Sequence, residues 1–150
     1  MAGPTIVIHG AVTDTHTSPK HRVGTKYIAP NGNEYTYIQA DDAIAVNSAV
    51  KMDSTTGVKV TPTAAAGDFL FGVAETAFAD EAYGWVTTEG IALCLVADSM
   101  AAGDVMAASG TAGTLTKAVE AGSGDYEHVR AELLAANSSG GAAARLVRLI

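Results

Sequence analysis

Histidines are the side chains of this chain best suited to metal binding or proton transfer. His9, His16 and His21 lie near its beginning with Asp14 between them, and His128 lies far from them in the sequence. No two have the i, i+4 spacing that places two ligands on one helix face, and no second cluster of ligands accompanies them. We therefore expect solvated or interface histidines, with no metal and no other cofactor.

Other reactive side chains are equally isolated. Cys94 is the only cysteine, so an internal disulfide is excluded, and its apolar neighbours predict a small buried hydrophobe. Asp80 and Glu81 are adjacent, and a strand or turn points adjacent side chains apart, so a working carboxylate pair is not expected. The chain has no Gly-x-Ser-x-Gly elbow and no phosphate-binding loop ending in Lys and Ser or Thr. The sequence therefore predicts a protein that is not an enzyme.

Charge is distributed unevenly along the chain. The net charge is -7, yet residues 1–40 carry three cations, Lys20, Arg22 and Lys26, against two acids. Residues 61–116 carry seven acids and no Lys or Arg. A nucleic-acid-binding body would need the opposite sign, so we expect no nucleic-acid partner. No secretory segment and no apolar run of membrane-spanning length is recognised, so we expect no membrane partner.

Composition and turn residues predict an all-β fold. Sixteen glycines stand among many Thr, Ser and Ala residues, and aromatic residues make up 6% of the chain, so short strands with tight turns and a core of small side chains are expected. We predict a compact small β-barrel or sandwich of short strands, with an extended N-terminal arm over residues 1–25 and a β domain over residues 26–150. Residues 13–22 show neither helix nor strand periodicity, so the arm is expected to order only against a partner.

The strongest local signal is a hairpin. Residues 26–28 and 34–38 flank Pro30, Asn31, Gly32 and Asn33, and Asn-Gly favours the positive φ of a tight turn. Period two then places Tyr35 and Tyr37 on one face. Further strands are predicted over residues 69–74, 82–87, 91–96, 115–119 and 145–150.

One four-residue motif occurs twice in the sequence. Ala-Ala-Gly-Asp ends at Asp68 and again at Asp104, and each copy precedes a short apolar run. We interpret both aspartates as turn residues that lead into strands, not as acids or ligands.

The segment at residues 126–136 fits two structures. Asp125 could cap a helix on which Tyr126, Val129 and Leu133 share a face. If the segment is a strand, Val129 and Leu133 lie on one side of it and Arg130 on the other. We favour the strand because the surrounding segments are β.

Several runs also follow one another in a recognisable order. A Gly-Val-Ala strand leads through a small-residue turn into a strand that ends in glycine and an aliphatic residue. These runs are residues 67–74 (GDFLFGVA), 79–86 (ADEAYGWV) and 89–92 (EGIA), continued by 102–106 (AGDVM), 117–123 (KAVEAGS) and 35–40 (YTYIQA). Together they resemble the capsid cement proteins, or head decoration proteins, of tailed bacteriophages.

The resemblance implies a structural virion protein. Such a protein is a β-rich, commonly oligomeric domain on the outer capsid surface, where it binds the major capsid protein and stabilises junctions between its subunits. We expect a homo-oligomer, with a trimer favoured and a dimer possible. On this view the arm contacts the capsid through Lys20, His21, Arg22 and Lys26, while the acidic body faces outward.

A protein of a different class is the second interpretation of this sequence. A β-rich fibre or adhesin domain that binds host-surface glycans would expose aromatic platforms for sugars. The candidate rings are Trp85, Tyr83, Tyr35 and Tyr37. We interpret these rings as core or interface residues instead.

Overall fold

The computed structural model describes Ile8, residues 10–118 and residues 131–150, and these residues form strands and turns without a helix. The all-β prediction is confirmed. The strands are β1 Thr15–His16, β2 Lys26–Ile28, β3 Glu34–Gln39, β4 Ser48–Met52, β5 Val60–Pro62, β6 Gly72–Ala74, β7 Tyr83–Val96, β8 Val105–Ala108, β9 Leu115–Lys117, β10 Ala131–Leu133 and β11 Ala143–Leu149.

Five strands close into a small barrel. The C-terminal half of β7 pairs with β11, β11 with β10, β10 with β8, and β8 with β9. A parallel contact of Val96 with Leu115 returns β9 to β7 and completes the ring. Small and medium side chains fill the interior, among them Cys94, Met106 and Leu133. A core of such side chains matches the low aromatic content of the sequence.

The N-terminal half of β7 belongs to a second sheet. It pairs with β3 on one side and with β6 and β1 on the other, and β4 joins β6 to β5. A single parallel bridge between Ala40 and Val60 brings β5 back to the end of β3. Ile38, Val60 and Val86 pack together inside this sheet, in a cluster separate from the barrel interior.

The predicted hairpin is present as β2 and β3. The Gly32 N–H donates to the Ala29 carbonyl at 2.9 Å, and Gly32 has the positive φ that the turn requires. Tyr35 and Tyr37 lie in one cluster while Ile38 packs in another, which confirms the predicted alternation.

The predicted strands 82–87 and 91–96 are wrong as separate elements, because β7 runs unbroken for 14 residues. Glu89 and Gly90 resemble a turn in the sequence, but Gly90 bends the strand at a φ of 102°. At the bend, Asn33 takes the place of a neighbouring strand. Its Nδ2 donates to the Ile91 carbonyl at 2.8 Å, and its Oδ1 accepts from the Ile91 N–H at 3.0 Å.

Other boundaries also differ from the predictions. The strand predicted at residues 69–74 is present only as β6, and in the segment before it Phe69 is exposed whereas Leu70 is buried. The strand at the end of the chain begins at Ala143, two residues earlier than predicted. In the segment with two interpretations, Ala131–Leu133 form a strand, as favoured, whereas residues 126–130 lie outside the described residues.

Both copies of the repeated Ala-Ala-Gly-Asp motif form the same turn. The Asp68 carboxylate accepts from the Ala65 N–H at 2.9 Å, and the Asp104 carboxylate accepts from the Ala101 N–H at 2.9 Å. The preceding glycines, Gly67 and Gly103, both have a φ of 88°. The interpretation of these aspartates as turn residues is therefore confirmed.

Candidate binding surfaces

The described part of the arm lies on the β domain of the same chain. Thr15 and His16 pair with Gly84 and Tyr83 of β7. The expectation that residues 13–22 order only against a partner is therefore wrong. The physical reason is that the edge of β7 offers backbone groups to a short strand that is too polar to fold alone.

An aromatic cluster anchors the arm. The His21 ring lies 5.1 Å from the ring centroids of both Tyr37 and Trp85. The Lys20 N–H also donates to the Tyr37 hydroxyl at 3.1 Å, which gives this buried phenol a partner. His21 therefore points inward, and the backbone on either side of it is fixed to the sheet.

The sequence-predicted contact residues divide into two groups. Lys20, Arg22 and Lys26 are exposed, whereas His21 is only partly exposed. Lys26 forms an ion pair of 2.7 Å with Glu34 across the hairpin. Three cations thus lie at the surface within seven residues, and the packing of His21 on Tyr37 and Trp85 fixes their segment to the domain.

Rings that could bind sugars are mostly buried. Trp85 is 2% exposed and Tyr37 is 0% exposed, and Tyr35 is also buried. Tyr83 is partly buried and packs against the same cluster. The interpretation of these rings as core residues is confirmed for Trp85, Tyr37 and Tyr35.

The reactive side chains that the structure describes do not converge. Burial raises the pKa of Cys94 to about 12, with the nearby Glu75 charge adding to the effect, so the thiol is held in its neutral form. Asp80 and Glu81 are both exposed, and Glu81 pairs with Lys59 at 2.5 Å. Among the described residues there is no group of three or more His, Cys, Asp or Glu side chains that could hold a metal ion. His9 and His128 lie outside the described residues.

Asn137 holds one end of the barrel together. This fully buried side chain donates through Nδ2 to the carbonyls of Val96, Ala97 and Gly141, each at 3.0 Å. Its Oδ1 accepts from Arg145 at 3.1 Å. The residue stands in an Asn-Ser-Ser glycosylation pattern, but its amide nitrogen is enclosed by these contacts in the folded chain.

A depression beside the predicted contact residue Lys26 is small. Lys26 and Glu34 line it together with Phe71, Thr88 and other residues, and its volume is about 130 Å³. Sites for drug-sized ligands are usually about 300–1,000 Å³. The depression is therefore better suited to water or a single inserted side chain than to a metabolite.

Apolar side chains are exposed on the outside of the barrel. Ile91 and Leu146 are each 46% exposed, and Val105 is 40% exposed. Leu93 lies directly opposite Leu146 in the ladder, and Ile91 lies opposite Arg148. We call this surface the outer barrel face, defined by Ile91, Leu93, Val105, Glu132, Leu146 and Arg148.

None of the described residues belongs to a helix that is long and apolar enough to span a membrane. The chain matches no known protein family, no curated protein and no solved structure.

Proposed function

We propose that this chain is a structural virion protein that binds the outside of a phage capsid at junctions between major capsid subunits. The observation that carries the proposal is the arrangement of the arm. Three exposed cations, Lys20, Arg22 and Lys26, lie on a segment that is fixed to an acidic domain through the His21 ring. Cations held in place lose less side-chain and backbone freedom on binding than cations on a free chain.

The resemblance to cement proteins supports the same proposal. Five of its runs fall on β3, β6, β7 and β8, which contribute side chains to the core clusters, and residues 119–123 of the remaining run lie outside the described residues. Self-association into a trimer or a dimer, also implied by the resemblance, is part of the proposal. Many copies on one shell would make weak individual contacts sufficient, because each capsid offers a dense array of sites.

The electrostatic part of the proposal has a direct test. Purified chain is mixed with virions of the phage that encodes it and sedimented, and the bound fraction is measured. Replacing Lys20 and Arg22 together by Ala should lower the bound fraction and weaken its dependence on salt. The control replaces the exposed Val46 and Val58 together by Asp, which changes the net charge by the same amount elsewhere. Equal binding by both double variants would rule out the arm as the contact.

The glycan-binding alternative makes a separate prediction. Glycan binding that depends on Trp85 would favour it, yet Trp85 is almost fully buried. A glycan array probed with the wild-type chain and with Trp85→Ala should therefore show no signal that depends on Trp85.

A further inference from the structure

The outer barrel face cannot receive an added strand. β11, β10 and β8 pair on both sides within the closed ring. β7 pairs with β11 on one side, and its other edge pairs with β9 only at Val96 and is otherwise occupied, because Ile91, Leu93 and Leu95 donate their N–H groups to Asn33, Glu75 and Asn47. A partner must therefore pack against its side chains, as one sheet packs on another in a sandwich.

The register of the ladder arranges this face in a defined row. Ile91 lies opposite Arg148, Arg148 opposite Glu132, and Glu132 opposite Val105. Apolar side chains thus stand at both ends of the row, and an ion pair of 3.2 Å stands in the middle. Leu93 and Leu146 form a second, wholly apolar pair beside it.

The distribution of charge favours a second copy of this chain as the partner of the outer barrel face. The chain as a whole has a net charge of -7, so two copies repel each other through most of their surface. The outer barrel face carries one cation and one anion and is neutral. A two-fold contact brings the same patch of both partners together, and a row with Arg148 beside Glu132 is able to complement itself.

We infer that the outer barrel face is the contact between two copies of this chain, which pair face to face with Leu93 and Leu146 at the centre and Arg148 of each copy beside Glu132 of the other. The inference stands apart from capsid binding. The arm joins β7 at Gly84, and nine residues of strand, up to about 30 Å, separate that point from Leu93. Lys20, Arg22 and Lys26 are not among the residues of the outer barrel face, so this contact does not use them.

Self-association is measured by sedimentation velocity on the full chain, without capsids, from about 1 to about 100 µM, since a dimer of modest area depends on concentration. The wild type should shift from monomer to dimer, and Leu146→Asp should raise the dissociation constant at least about tenfold. Ile28→Asp is the control, because Ile28 is 70% exposed but lies on β2. Circular dichroism checks that both variants fold.

Charge reversal gives a second test that leaves the apolar centre intact. Arg148→Glu and Glu132→Arg should each weaken the homodimer by like-charge contacts, and an equimolar mixture of the two should form heterodimers. A wild type that stays monomeric, a trimer, or a dimer that Leu146→Asp leaves unchanged would overturn the inference. So would a mixture that associates no better than its two components.

Discussion

The Asn33 side chain binds both backbone groups of Ile91, 58 residues further along the chain. The contact lies where β7 leaves one sheet and enters the barrel, next to the bend at Gly90. A side-chain amide thus fills the place of a missing strand neighbour. The second sheet and the barrel are joined at this point of β7, so we expect the contact to stabilise the junction between them.

Replacing Asn33 by Ala should lower the free energy of unfolding by about 2–4 kcal/mol, because the two hydrogen bonds to Ile91 are lost and the backbone groups of Ile91 are left without that partner. Chemical denaturation measures the change. Asn31→Ala is the control, since it removes one hydrogen bond from the exposed turn of the same hairpin. A cost for Asn33→Ala no larger than that of the control would contradict the role of the amide.

Asp68 and Asp104 make the stability of the chain sensitive to acid. Burial alone would raise the pKa of Asp68, but hydrogen bonds from Ala64, Lys51 and Ala65 together outweigh it and lower that pKa. The hydrogen bond from Lys117 is the main cause of the lowered pKa of Asp104. A carboxylate with a lowered pKa in the folded state stabilises the fold above its unfolded pKa of about 3.9, and the contribution is lost as the pH falls through the folded value.

The double variant Asp68→Asn and Asp104→Asn should therefore show a flatter loss of stability from about pH 6 to about pH 2 than the wild type. Urea midpoints measured across this range provide the comparison. Asp80→Asn, in an exposed turn, sets the baseline for removal of a negative charge. A wild-type profile as flat as that of the double variant would show that these turns do not contribute.

Cys94 should react with a thiol reagent only when the chain unfolds. The side chain is buried in the barrel and its pKa is raised to about 12, so the native state offers neither access nor thiolate. Labelling by a disulfide reagent at neutral pH should be slow in buffer and fast in denaturant. Rapid labelling of the native chain would mean that the barrel opens readily.

Gly84→Ala should release the arm from β7. An added Cβ would meet the Phe78 ring at 2.7 Å and the Asp14 carbonyl at 3.1 Å, so the strand pairing at Thr15 and His16 has no room for it. Hydrogen exchange of peptides from residues 10–22 should become faster. Gly141→Ala is the control, because its added Cβ meets nothing within 4 Å. Unchanged exchange in the arm would contradict the described docking.

Features with local causes were predictable from the sequence. The hairpin follows from Asn31 and Gly32 between alternating residues, and the repeated turns follow from a glycine and an aspartate that bonds to nearby backbone. The burial of Cys94 follows from its apolar neighbours. Each of these signals lies within a few residues of the structure it produces.

Features with distant causes were not predictable. Glu89 and Gly90 resemble a turn, and the continuity of β7 depends on Asn33 far away in sequence. The docking of the arm depends on the contact of His21 with Trp85, for which the polar sequence of the arm gives no signal. The outer barrel face was also missed, because residues 91–96 form one apolar run and only the ladder shows which side chains face outward.

Binding to the capsid is the central claim, and rebinding to purified virions tests it most directly. The chain with residues 1–150 and a variant without residues 1–24 are titrated onto particles of the phage that the proposal requires, and bound protein is measured after sedimentation. The account predicts saturable binding of the full chain in fixed proportion to the major capsid protein, with strongly reduced binding of the shortened chain. A full-length chain that stays in the supernatant at every concentration would contradict the claim.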